Sequence, residues 1–211
     1  MRIRWKVVVP LAVVVAVLTA GVGLFYNGYG PMALRDKRVL KLKSPAAAKD
    51  RIDEFLRATM AGISPQVEYL GGDYQVTREE DHWDGEPNLK SRLFGAVTIR
   101  TRIAQVKLPR LLDQISWSWE GMGCGRVERS GPDKYNPKLT SLSCTTDDGL
   151  SVSLGASSDG SYNSVAFSGE LDFVRYQPAH EYGPVSPLPT RPRTSGGVVA
   201  DDAVDDPYWS H

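Results

Sequence analysis

Histidine and cysteine are scarce in this chain: three of the first and two of the second among 211 residues. His82, His180 and His211 stand far apart in polar or turn-rich stretches, so a zinc site built from them would have to gather distant segments. No G-x-S-x-G elbow occurs. The run Gly121-Met122-Gly123-Cys124-Gly125 lacks the length, the Lys and the following Ser or Thr of a phosphate-binding loop. Were Cys124 a nucleophile it would want a positioned His base, and none is evident. Net charge is missing as well, since 25 Lys and Arg balance 25 Asp and Glu. Nothing calls for a cofactor, and no convergent catalytic set stands out.

What the sequence does have is one long apolar run. Residues 7–26 contain no charged side chain. About 20 residues at ~1.5 Å rise each match the ~30 Å hydrocarbon core of a bilayer. A helix is the form a single segment takes there, because every backbone amide needs an internal partner. Pro10 falls in the first turn, where a missing N–H costs little. Arg2, Arg4 and Lys6 precede the run, as in a secretory signal, but signal cores usually span only ~7–15 residues and end at a small-residue site. Leu18-Thr19-Ala20 is a poor cleavage site, and no Cys follows to take a lipid. The segment therefore reads as an uncleaved anchor, the chain being secreted if it is cut. The implied partner is the lipid bilayer.

Charge is partitioned along the chain even though it cancels overall. Residues 1–43 sum to +7, residues 44–176 to −4 and residues 177–211 to −3. Arg35, Lys37, Arg38, Lys41 and Lys43 follow the span and outnumber the basic residues before it, which by charge alone turns the bulk of the chain inward. The terminal position of the span and the cysteines argue the other way. An acidic outer portion makes nucleic acid an unsuitable partner, and the basic linker at 27–43 reads as interfacial anchoring.

Cys124 and Cys144 flank a turn-rich stretch at 131–137. If the flanks pair as a hairpin centred near Lys134, the two cysteines fall opposite one another at a spacing a disulfide tolerates. Such a bridge requires an oxidising compartment, and the alternative is two unpaired buried thiols.

Helical and strand periods divide the middle of the chain. Ser44-Pro45 opens a helix in which Ile52, Phe55, Leu56, Thr59, Met60 and Ile63 form one stripe, while Lys49, Asp50, Asp53 and Arg57 face water; Gly62 and Pro65 close it. Extended chain follows at 66–70 and 74–78, broken at Gly71-Gly72. A half-buried strand at 93–103 then sets Leu93, Val97, Ile99 and Ile103 against Thr98, Arg100 and Arg102. A second helix at 108–120 aligns Leu108, Leu111, Leu112, Ile115 and Trp119. Strands at 124–129, 139–145, 150–154 and 164–173 form a meander, with tight turns at Asp148-Gly149 and Asp159-Gly160. The fold class is α+β: two amphipathic helices packed on a mostly antiparallel sheet, in the order α-β-β-α-β-β-β-β, preceded by one transmembrane helix. The domains follow as a basic tip at 1–6, the anchor at 7–26, a juxtamembrane linker at 27–43 and an extracytoplasmic domain at 44–176.

The remainder, 177–211, is rich in Pro, Gly and Asp and lacks the apolar surface to offset its ordering entropy, so it reads as a disordered tail. Tyr208 and Trp209 in it, and Trp117 on the second helix, are the candidate partner contacts, Trp117 as a sugar-stacking or protein-binding patch. The acidic stretch 79–86 offers Asp81, His82 and Asp84 as weak metal ligands. Its spacing does not reproduce a calcium-binding loop, and a solvated hairpin loop accounts for it more simply.

A short basic N-terminus, one span, a Trp117-Ser118-Trp119-Glu120-Gly121 helix end, a meander with Asp-Gly turns and the ending Asp206-Pro207-Tyr208-Trp209-Ser210-His211 together resemble the small membrane-anchored or secreted proteins of actinobacteria, whose function is unknown. That resemblance implies a cell-envelope location and carries no site residues. The expected function is a single-pass envelope protein with a non-enzymatic binding or scaffolding outer domain, its partner an envelope protein or cell-wall component. The alternatives are an envelope hydrolase or metal-dependent enzyme, and an accessory subunit of a membrane complex.

Overall fold

Ser44 starts the first helix as the spacing predicts. Its hydroxyl accepts the amide N–H of Ala47 at 3.1 Å, and α1 runs over Pro45–Ala61 with Gly62 as its C-cap. The computed structural model describes residues 42–80, 87–132, 134–186 and 203–211, so the expected span at 7–26 and the candidates Asp81, His82 and Asp84 lie outside the described residues. Among the described residues no helix is long and apolar enough to cross a membrane.

Among the described residues seven strands and a second helix follow: β1 (Tyr69–Gly71), β2 (Gln75–Glu80), β3 (Pro87–Ala104), α2 (Leu108–Gly121), β4 (Glu128–Ser130), β5 (Leu139–Thr145), β6 (Leu150–Ser158) and β7 (Tyr162–Arg175). The sheet order is β1-β3-β7-β6-β5-β4, and β2 also pairs with β3. Every strand pair is antiparallel. The break at Gly71-Gly72 thus divides one bent edge into β1 and β2, so three strands rather than two precede α2. Gly149 and Gly160 take φ of 83° and 113° in the two Asp-Gly turns, where a side chain would be strained.

Both helices cover one face of the sheet. Leu93, Val97, Ile103, Leu150, Leu154, Phe167 and Leu171 are buried beneath them with Ile52, Phe55, Leu112 and Ile115. Gly95 and Gly169 pair across β3 and β7 directly under α1. A Cβ on Gly95 would stand 2.8 Å from the Tyr74 ring and 3.2 Å from Ile52, so the absence of side chains there lets α1 settle onto the sheet. The ladder also has an irregularity: Ser91 faces Val174 but Leu93 faces Leu171. The extra residue places Phe173 at φ 61°, a left-handed conformation that bulky side chains rarely adopt.

One helix position departs from the periodic reading. Asp53, expected to face water, is 4% exposed. Its carboxylate accepts the Tyr74 hydroxyl at 2.7 Å and the Ser186 amide at 2.7 Å, and pairs with Lys49 one turn earlier. Burial first, and then this hydrogen bond, push the Tyr74 hydroxyl well above the ordinary tyrosine range. The reason is the segment 182–186, which folds back over α1: Val185 is fully buried and its N–H donates to Gly72 O at 2.8 Å.

The ending corrects a second expectation. Where the composition at 177–211 suggested disorder, residues 203–211 dock on the domain. Val204 bridges Thr101 in parallel, and Trp209 is fully buried, its indole N–H donating to Pro65 O at 2.8 Å. Asp206 Oδ1 accepts the amides of Tyr208 and Trp209, both at 2.8 Å, which shapes the turn that points Trp209 inward. Trp209 is therefore core rather than a hook for a partner. Tyr208 is partly buried beside it, with Lys107 Nζ 4.0 Å from its ring centre.

Candidate binding site at the helix ends

Helix α2 carries two tryptophans two residues apart, about 200° around the helix axis, so they face opposite ways. Trp119 is fully buried; its indole N–H donates to Thr59 Oγ1 at 3.0 Å and its ring leans on Phe55 at 5.9 Å. Trp117 is 79% exposed. It lines a shallow depression of about 410 Å³ together with Gly62, Ser118, Glu120, Gly121 and Met122.

The rim of that depression is fixed from several directions. Gln114 and Ser64 exchange hydrogen bonds of 2.7 and 3.0 Å, joining α2 to the chain beyond α1. Beyond the rim, Cys124 N donates to Trp119 O at 3.1 Å, and Cys124 is bonded to Cys144 with a Cα–Cα distance of 5.8 Å. The disulfide exists, but not by the expected register. β4 pairs with β5 so that Glu128 faces Ser143, and Cys124 bridges Thr146 rather than sitting opposite Cys144. The strand proper begins at Glu128, four residues later than the reading from 124, because residues 122–125 are spent leaving α2.

Electrostatics at the depression are one-sided. The carbonyl ends of both helices meet there, since Gly62 caps α1 and Gly121 ends α2. A helix C-terminus carries roughly half a negative charge and is usually complemented by Lys, Arg or His. Neither helix has a basic residue in its last turn, and α2 instead places the exposed carboxylate of Glu120 there.

No family model, curated protein or solved structure matches this chain. Among the described residues no group of three or more His, Cys, Asp or Glu is placed to hold a metal ion.

A second surface is the sheet face turned away from the helices. It forms a trough of about 400 Å³ in which Ser143, Ser153, Ser168 and Glu170 surround Phe94. Ser153 and Ser168 hydroxyls lie 2.9 Å apart, and Arg92 pairs with Glu170 and Asp172 at 3.0 and 2.9 Å. The alternation of Ser along β5 and β6 was the available signal for this face. At the far end of α1, Arg51 donates to Asp148 Oδ2 at 2.7 Å and Lys43 Nζ to Asp148 O at 2.8 Å. The Arg51 bond holds the Asp148 carboxyl well below the usual carboxylate range.

Proposed function

We propose that the chain is a single-pass cell-envelope protein, tethered by residues 7–26, whose domain stands outside the membrane and binds another envelope component without catalysing a reaction on it. The observation that carries this reading is the Cys124–Cys144 bond, because disulfides persist in oxidising compartments and are rare in the cytosol. Residues 7–26 supply the uncharged length a span needs. An exposed tryptophan on a rim held by a disulfide and a reciprocal side-chain bond suits a preorganised contact site.

The reading is tested by fractionating cells that make the full chain and treating the intact cells with protease. Expected is a membrane-bound chain that resists alkaline extraction and loses its domain to external protease. A chain recovered in the cytosol, or one protected until lysis, refutes it. A photo-cross-linking residue at position 117, in the chain as it sits in cells, should then form an adduct absent when the same residue replaces Glu54 on the exposed side of α1.

A further inference from the structure

The exposed tryptophan and two helix ends without a basic residue in their last turns lie in one depression, and they point to the same ligand chemistry. We propose that Trp117 and Glu120 form a receptor for a cationic side chain, a Lys or Arg carried on an extended peptide of the partner. The inference deepens the binding reading above and rests on it for biological context only.

Three observations converge. First, Trp117 is 79% exposed among the described residues. The other strongly exposed aromatic side chains are covered by cations of their own chain: Lys134 lies 4.5 Å from the Tyr135 ring centre and Lys90 lies 4.1 Å from that of Phe173. Among the described residues Trp117 has no such cation, although Trp is the aromatic that attracts one best. Second, Glu120 follows Trp117 by three residues, which sets neighbouring Cβ atoms ~5–6 Å apart on a helix surface. A carboxylate at that position opposes its own helix dipole, and no Lys, Arg or His in the last turn of either helix offsets it. An incoming cation relieves that repulsion while it stacks on the indole. Third, the size fits one side chain. Six residues line the depression, against the 20–30 per side of a standard protein interface.

Gly62, at the depression, closes the helix that begins at Pro45, and 17 residues at ~1.5 Å rise separate the two ends by about 25 Å. The depression therefore lies at the opposite end of α1 from Pro45. A Lys or Arg side chain on a peptide segment is the occupant that the size of the depression and its charge both admit.

The test is fluorine NMR of the full chain in detergent micelles, labelled with 5-fluorotryptophan, the Trp117 resonance being the one lost in Trp117→Phe. The probe is N-acetyl-Gly-Lys-Gly-amide, whose only charge is the ammonium. Expected is a saturable shift of the Trp117 resonance, with no shift at buried Trp119 or Trp209. Glu120→Gln should raise the midpoint about 1.4- to fivefold, the range of an exposed ion pair of ~0.2–1 kcal/mol. A probe with norleucine in place of Lys should leave the resonance unmoved. The proposal is overturned if the Lys probe produces no shift, if Glu120→Gln leaves the midpoint unchanged, or if neutral cellotetraose shifts the resonance and the peptide does not. Because the measurement is made in micelles, its failure is distinct from failure of the membrane tether, which fractionation reports.

Discussion

Trp209→Ala should be among the most destabilising single changes in the domain, although only Ser210 and His211 follow it in the sequence. The indole is fully buried, and its N–H is bonded to Pro65 O at 2.8 Å. Truncating a buried Trp to Ala costs about 3–5 kcal/mol, from lost transfer energy and the cavity left behind. The Pro65 carbonyl also loses its donor, which keeps the expectation in the upper half of that range. For a domain of this size each kcal/mol lowers Tm by roughly 2–4 °C, so the shift should be roughly 8–20 °C. Thermal and urea unfolding of the oxidised protein, followed by circular dichroism, gives the number. Trp117→Ala is the internal control: at 79% exposure it should stay within about 0.5 kcal/mol of the parent. A Trp209→Ala protein as stable as the parent would refute the docking of the C-terminal segment.

Asp53→Ala leaves the Ser186 amide without its acceptor and the Tyr74 hydroxyl with only the Lys49 carbonyl at 3.3 Å, so urea unfolding should show a loss of about 2–4 kcal/mol and limited proteolysis should release residues 182–186 first. Asp148→Asn tests the Arg51 pair through pH: a carboxyl held below its unfolded value of about 3.9 contributes stability above that value and loses it as pH falls through the folded one. The gap between parent and variant should therefore be present at pH 7, begin to close below about pH 4, and stay within ~0.2–1 kcal/mol because the carboxylate is half exposed. Glu120→Lys puts a cation where α2 has none, so it should raise stability by about 0.3–1 kcal/mol while abolishing the response of Trp117 to the Lys peptide. A destabilised Glu120→Lys protein would contradict the electrostatics assigned to the helix ends.

The helices and the meander were legible because their residues repeat with the period of the element they form. Ile52, Phe55, Leu56 and Met60 mark α1, Leu108, Leu111, Leu112 and Ile115 mark α2, and all are buried where the stripe placed them. What periodicity could not show is chain that comes back. Asp53 reads as solvent-facing until residues 182–186 lie over it, and Trp209 reads as tail until Pro65 and Ala104 receive it; Ala104 N donates to Trp209 O at 2.8 Å. Composition at 177–211 averages away two short anchoring segments in a stretch otherwise rich in Pro, Gly and Asp. The cysteine bond was anticipated from spacing, whereas its register depended on how many residues α2 needs to turn into β4. Trp117 was visible as an exposed tryptophan, but Glu120 gained meaning only once both helix ends were found at the same depression.

The proposed envelope location is tested most directly by the oxidation state of Cys124 and Cys144 in living cells. Intact cells making the full chain are treated with a membrane-impermeant maleimide, before and after brief reduction, and the Cys124 and Cys144 peptides are quantified by mass spectrometry. An external, disulfide-bonded domain gives no labelling at either cysteine before reduction and labelling at both, in intact cells, after it. Free thiols at Cys124 and Cys144 that react only after the cells are lysed would contradict it.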